Sequence, residues 1–81
     1  MSTIALHILS PEGTLVQADV TLVTLPGVEG PFTVLKDHAA LITALLSGNI
    51  RYVEDGQEKF VSVRDGFVEV RDNVVKVCVE V

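Results

Sequence analysis

Histidine, cysteine and paired carboxylates are the side chains through which a small protein does chemistry, and this sequence holds few of them. His7 and His38 are its two histidines. A metal site would need further nitrogen, thiolate or carboxylate ligands at useful spacing, and no such cluster stands near either, so each reads as a solvent- or partner-facing side chain. Cys78 alternates with lysine and glutamate, which points it outward from an edge of a sheet. With no base placed nearby, it reads as a plain thiol rather than a nucleophile. Acidic residues gather in VEDGQE (53–58) and RDG (64–66), where Asp and Glu beside Gly are turn chemistry before they are acid–base chemistry. PGVEGP (26–31) has the glycines of a phosphate cradle, but no Lys-Ser/Thr and no evident helix follow, and Pro31 removes an N–H donor. These residues predict no catalytic site, no cofactor, no metal and no nucleotide.

Composition narrows the remaining classes. At 81 residues the chain is expected to form one domain, 1–81, near the lower limit for a self-sufficient core. Its 48% hydrophobic content supplies a real core, with Phe32, Tyr52, Phe60 and Phe67 the only aromatics. A core of this size nets about 3–5 kcal/mol, so a protein partner is the natural source of further stability. Cys78 stands alone, so no internal disulfide forms and a reducing compartment fits. The net charge of −5, with scattered basic residues, argues against nucleic acid. The start MSTIALHILSPEG lacks a basic n-region and a small-residue cleavage site. The apolar runs fall far short of the roughly 20 residues that span a bilayer, so no direct membrane insertion is expected. The expectation is a cytoplasmic protein that can still be peripheral to a membrane complex.

The elements that position these residues read mostly with period two. Val75, Val77, Val79 and Val81 alternate with Lys76, Cys78 and Glu80 in a last strand, and Val68 and Val70 alternate with Phe67, Glu69 and Arg71 before it. Asp72-Asn73 can take the positive φ of a tight turn between them. Asp55-Gly56 turns another hairpin, with Val61 and Val63 inward, and Asp65-Gly66 predicts a third reversal, making an antiparallel meander. Near the start, Ile4, Leu6 and Ile8 line one face of a strand and SPEG (10–13) turns the chain. In 14–25, Ala18, Val20 and Leu22 keep one parity until Val23 breaks it, which suggests a bulge. HAALITALL (38–46) fits a short helix or a strand; a strand is preferred, with Ile42, Ala44 and Leu46 continuing into a hairpin with Ile50 and Tyr52. The result is all-β, a small antiparallel β-sandwich of short strands.

PGVEGPFTVLKDHAAL (26–41) stands apart. Pro26 and Pro31 predict a stiff, irregular segment that keeps its shape without a regular ladder and so loses little entropy on docking. Val28, Glu29, Phe32, Lys36, Asp37 and His38 make it either a contact surface for another protein or a plain crossover between sheets.

LHILSPEG, then LPGVEGPFTVLKDHAALITALLSGNIRY, then DGFVEV, resemble in order the N-terminal β-sandwich domain of the epsilon subunit of F-type ATP synthases, from about residue 3 to the end. The most specific part is the middle, where the chain keeps the family's Gly27, Glu29, Gly30, His38, Ala39, Leu41, Thr43, Ala44, Leu45, Gly48, Ile50 and Arg51. It departs at Pro31, where the family often has an acidic residue, at Thr33, at Lys36-Asp37 in place of Pro-Gly, and at Ala40 in place of proline.

The resemblance implies a non-catalytic subunit of the central rotor stalk, linking the gamma subunit to the membrane c-ring and coupling proton flow to ATP synthesis. Ser10, His38 and Thr43 match positions near gamma, with Leu41 and Ile42 their apolar neighbours. Glu29 and Pro31 match positions near the c-ring, with Phe32 and Lys36 beside them; with Pro31 uncharged, shape, Glu29 or Lys36 must make that contact. Family members usually continue into a two-helix domain that inhibits ATP hydrolysis and in some cases binds ATP. The chain ends at Val81, so neither property is expected of it. Two other classes remain in view: a free-standing β-sandwich adaptor using the same loop, and a ligand- or metal-binding sandwich using His7 and His38.

Overall fold

A computed structural model describes residues 2–81. The chain forms β1 (Ile4–Ser10), β2 (Gly13–Val20), β3 (Leu22–Gly27), β4 (Gly30–Val34), β5 (Leu41–Leu45), β6 (Gly48–Glu54), β7 (Gln57–Val63), β8 (Asp65–Arg71) and β9 (Val74–Glu80), and no helix among the described residues. The all-β sandwich expected from period two is what forms. Its larger layer has the order β2-β1-β9-β8-β5 and its smaller layer the order β4-β3-β6-β7. The layers join where β3, paired with β6 at Leu22–Thr24, meets β5 at its last residue, Gly27 opposite Leu45. Hydrogen bonds from Leu46 N–H to Pro26 O (2.8 Å) and from Val28 N–H to Ala44 O (3.0 Å) hold this corner.

The core lies between the layers and is entirely apolar. Ile4, Leu6, Ile8 and Val20 meet Val68, Val70, Val75, Val77 and Val79 of the larger layer, and Val23, Leu25, Val34, Ile50, Tyr52 and Val63 of the smaller. Alternation along each strand leaves every second residue facing outward, so the core pattern also decides the two outer surfaces. The turns follow their chemistry. Asp55-Gly56 and Asp72-Asn73 take positive φ (52° and 75°; 52° and 62°), as two-residue hairpins joining twisted strands require.

Several local expectations differ. The pairing includes one parallel ladder, β1 with β9, which tucks the last strand between the first strand and β8. Cys78 therefore sits on a central strand and faces out from the sheet surface, not from an edge. Asp65-Gly66 does not reverse the chain into a meander: β7 pairs with β6, β8 pairs with β5 and β9, and the chain crosses between layers at Arg64. Gly66 instead sits at φ 153°, and a Cβ there would overlap Cys78 O, so it permits a close approach of β8 to β9. The parity break near Val23 is the corner at Thr21 where β2 ends and β3 starts in the other layer. The bulge lies earlier, where Ile8 and Leu9 face Val16 and Thr14 and Leu15 is the extra residue.

The 26–34 portion is also not irregular. Pro26 faces Pro31 and Gly27 faces Gly30 in a regular hairpin turned at Val28-Glu29, and only 35–40 leave the ladder. Proline fits here because β4 is an edge strand, where a missing N–H interrupts no inner ladder. β5 is a strand as preferred, but with the opposite parity: Leu45 is buried and Leu41 packs on the core, while Ile42, Ala44 and Leu46 face solvent. It pairs with β8 rather than forming a hairpin with β6.

Candidate partner-docking face

Strand register builds one continuous outer surface on the larger layer. Ala44 faces Phe67, Phe67 faces Cys78, and Cys78 faces Leu9, an apolar row running across β5, β8, β9 and β1. The adjacent row is Ile42, Glu69, Lys76, His7 and Gln17. Ile42 is 73% exposed, Leu46 54% and Phe67 52%. An apolar centre with charged groups at its margin is the make-up of a protein–protein contact rather than of a catalytic site.

Two depressions flank the apolar row. One, about 360 Å³ and open, is lined by Leu9, Ser10, Gly66, Phe67 and Cys78, with the acidic Asp65 and Glu80 at its side. Gly66 contributes to it by having no side chain, and Ser10 Oγ is turned away to Gly13 O at 3.2 Å. The other, about 480 Å³, is lined by His7, Glu69, Arg71, Asp72, Val74 and Lys76, most of them charged. A third shallow cleft, about 260 Å³, brings Glu29 and Phe32 of the β3–β4 hairpin beside Leu41, Ile42 and Thr43 of β5.

The sequence-predicted residues fall into place as follows. Ser10 lies at one end of the apolar row and Ile42 projects from β5. Leu41 and Thr43 point to the core side, and Leu41 packs against it. Glu29 is exposed at the hairpin turn, Pro31 is exposed on the edge strand and Phe32 is half-buried. Lys36 and His38 sit in 35–40, with His38 Nδ1 2.7 Å from Ala39 O. The cleft of Glu29, Phe32, Leu41, Ile42 and Thr43 thus joins residues assigned by resemblance to two different partners. His7 and His38 do not share a cleft, and among the described residues no group of three His, Cys, Asp or Glu side chains comes together. Sequence reasoning missed Phe67, Leu46 and Leu9 as surface residues of this face, and Asn73 as a tether. The signal for Phe67 was present: a large aromatic at the outward parity of a strand whose Val68 and Val70 are buried.

The outer surface of the smaller layer is polar where the first is apolar. Arg51 Nη1 donates to Glu58 at 2.8 Å and Nη2 to Thr24 Oγ1 at 3.5 Å, and Thr24 and Thr33 hydroxyls are 2.8 Å apart. Near this layer's hairpin end, Lys59 Nζ donates to Glu54 at 3.0 Å. That hydrogen bond, with the charge of Glu54, raises the Lys59 ammonium above its ordinary pKa of 10.5.

This is a small all-β sandwich with one apolar outer face and no built catalytic centre among the described residues. The chain belongs to the family described as ATP synthase, Delta/Epsilon chain, beta-sandwich domain, whose pattern matches residues 3–81. It is 39% identical over 75 residues to the ATP synthase epsilon chain of Desulfitobacterium hafniense, an alignment covering 93% of this chain and 57% of that one. The chain therefore spans a little more than half the length of that curated relative. Its fold matches a chain of the Euglena gracilis mitochondrial ATP synthase (OSCP/F1/c-ring) with a TM-score of 0.90 at 23% identity, covering 98% of this chain and 51% of the other. A chain of the Tetrahymena thermophila mitochondrial ATP synthase central stalk/c-ring matches with a TM-score of 0.81 at 15% identity, covering 95% and 63%. At these identities the two structures speak to fold alone.

Proposed function

We propose that residues 1–81 are one domain of a non-catalytic subunit in the central rotor stalk of an F-type ATP synthase, docked between the gamma subunit and the c-ring on the cytoplasmic face of the membrane. Its work is mechanical: to hold an interface while torque passes from the proton-driven ring to the stalk. The observation that carries this reading is the single apolar outer face on a chain of this family. A standard interface takes about 800 Å² from each partner, which is roughly a sixth of the chain's 4774 Å² surface and within reach of one sheet face. Among the described residues no helix is long and apolar enough to cross a membrane.

On this reading Ser10, Ile42 and the newly seen Phe67 and Leu9 meet gamma, with His38, Leu41 and Thr43 at its margin. Glu29, Pro31, Phe32 and Lys36 form the side turned to the c-ring. Pro31 offers shape and Glu29 the charge at the hairpin tip. The shared cleft of Glu29, Phe32 and Ile42 lets one preshaped corner bear on both partners. The test is size-exclusion chromatography with recombinant gamma subunit from the same organism at micromolar concentration. A one-to-one complex supports the assignment. Two separate peaks from folded proteins contradict it and leave the adaptor reading in the lead.

A further inference from the structure

Residues 35–40 leave the ladder between β4 and β5, and one residue of another element pins them. Asp37 sits at φ 67°, a left-handed conformation that residues other than glycine seldom adopt, with Asp and Asn the best tolerated. Its N–H donates to Asn73 Oδ1 at 2.6 Å, and Asn73 Nδ2 donates back to Asp37 Oδ1 at 3.1 Å. The other hydrogen bonds found within the segment are local: His38 N–H to Leu35 O at 3.2 Å, and His38 Nδ1 with Ala39 O at 2.7 Å. Asn73 is itself fixed. It closes the β8–β9 turn at φ 62°, and its carbonyl accepts from Ala5 N–H of β1 at 2.9 Å. The reciprocal pair therefore ties a loop to a rigid junction of β1, β8 and β9 across 36 residues of sequence. Asp37 is exposed and Asn73 half-buried, so the pair hides little apolar surface and its effect is on conformation.

We propose that Asp37 and Asn73 are a positioning pair: the clasp fixes the backbone of 35–40 and so presents His38 to the docked gamma subunit. The partner half of this proposal rests on the docking reading above. A preset loop loses less conformational freedom on binding, so breaking the clasp weakens binding without removing a contact.

The test is a charge-swap series in the whole chain, with two readouts: amide hydrogen exchange at position 37 in the free protein, and affinity for the gamma subunit. Asn73→Asp keeps a residue type that tolerates this φ, removes the Nδ2 donor and sets a second carboxylate against Asp37. It should speed exchange at 37 and weaken binding, each about tenfold, with little change in melting temperature. Adding Asp37→Asn returns an amide–carboxylate pair with the donor on the other side, and should restore both. If Asn73→Asp fails to fold, Asn73→Gly suits the turn, deletes only the side chain and gives the same readings. Unchanged exchange in Asn73→Gly, which unlike Asn73→Asp deletes the Oδ1 that accepts from Asp37 N–H, overturns the clasp. Faster exchange with unchanged affinity overturns its positioning role, and failure of the swap to rescue, with the pair's net charge restored, overturns the reciprocal pairing and assigns the effect to the turn at position 73. A parent chain that does not bind gamma, but shows the exchange pattern, overturns the docking reading and leaves the clasp standing.

Discussion

The outer faces of the two layers arise from the same alternation of inward and outward residues, and they handle their exposed apolar groups differently. On the larger layer, Phe67 is 52% exposed and stands in the apolar row with Ala44, Cys78 and Leu9, while Ile42, 73% exposed, lies opposite Glu69 in the adjacent row. On the smaller layer, Phe60 is 57% exposed but lies opposite Arg51, whose guanidinium is occupied by Glu58 and Thr24. An exposed aromatic is therefore not by itself a docking mark. What separates the faces is whether polar side chains already satisfied within the protein surround it. A partner covering the second face would have to displace or bury a hydrogen-bonded ion pair, which costs more than covering an apolar row.

The comparison breaks most sharply on affinity. Phe67→Glu, or Ile42→Glu, should lower affinity for gamma by about 2–4 kcal/mol, the cost of a lost interface anchor, with the melting temperature nearly unchanged because both side chains are exposed. Phe60→Glu should leave the affinity alone. Titration calorimetry on the three variants checks the contrast, and equal losses from both faces would erase it.

Gly66→Ala comes next. The added Cβ meets the Cys78 carbonyl and a φ of 153° that alanine resists, so stability should fall by about 1–3 kcal/mol in urea unfolding. The same change distorts the cleft beneath Ser10 and Phe67, so affinity should fall as well. Arg51→Met on the polar face is smaller. It removes an exposed ion pair and should cost about 0.2–1 kcal/mol of stability with no change in affinity.

The smallest effect concerns pH. Because the folded-state pKa of Lys59 is raised above 10.5, its pairing with Glu54 contributes below that value and is lost as pH rises through the folded pKa. Glu54→Gln should bring the Lys59 titration, followed by NMR, back toward 10.5 and flatten the alkaline limb of the stability profile. An unchanged Lys59 titration would show that the pair does not form in solution.

Much of this was legible in the sequence, and the rest was hidden for physical reasons. Period two assigned the inward residues of the first, eighth and ninth strands correctly except Val81, which lies beyond β9 and is exposed, and the turns at Asp55-Gly56 and Asp72-Asn73 marked their hairpins. Alternation gives a strand's face but not its neighbour, so the parallel pairing of β1 with β9 could not be read. At 41–46, apolar residues occupy both parities, and the corner at Gly27 and Leu45 decides which set is inside. Asp65-Gly66 has turn composition, but its glycine serves a close strand approach. The proline-rich hairpin looked irregular because Pro26 and Pro31 are poor ladder residues, yet Pro31 is tolerated on the edge strand β4, and Pro26 lies beyond the stretch of β3 that pairs with β6. The family resemblance supplied Ser10 and Glu29, and Ile42 followed as an apolar neighbour of the matched positions. Phe67 and Leu9 emerged only once register set them in one row.

Cys78, in the middle of that row, is the chain's only cysteine and so a native reporter of which face is covered. The most direct measurement is the rate of maleimide labelling of Cys78 with and without saturating gamma subunit. The control is a Ser62→Cys, Cys78→Ser variant that carries its thiol on the opposite outer face. Docking on the apolar face predicts strong protection of Cys78 and none at position 62. Equal labelling of Cys78 in the complex, or protection at position 62 instead, would contradict it.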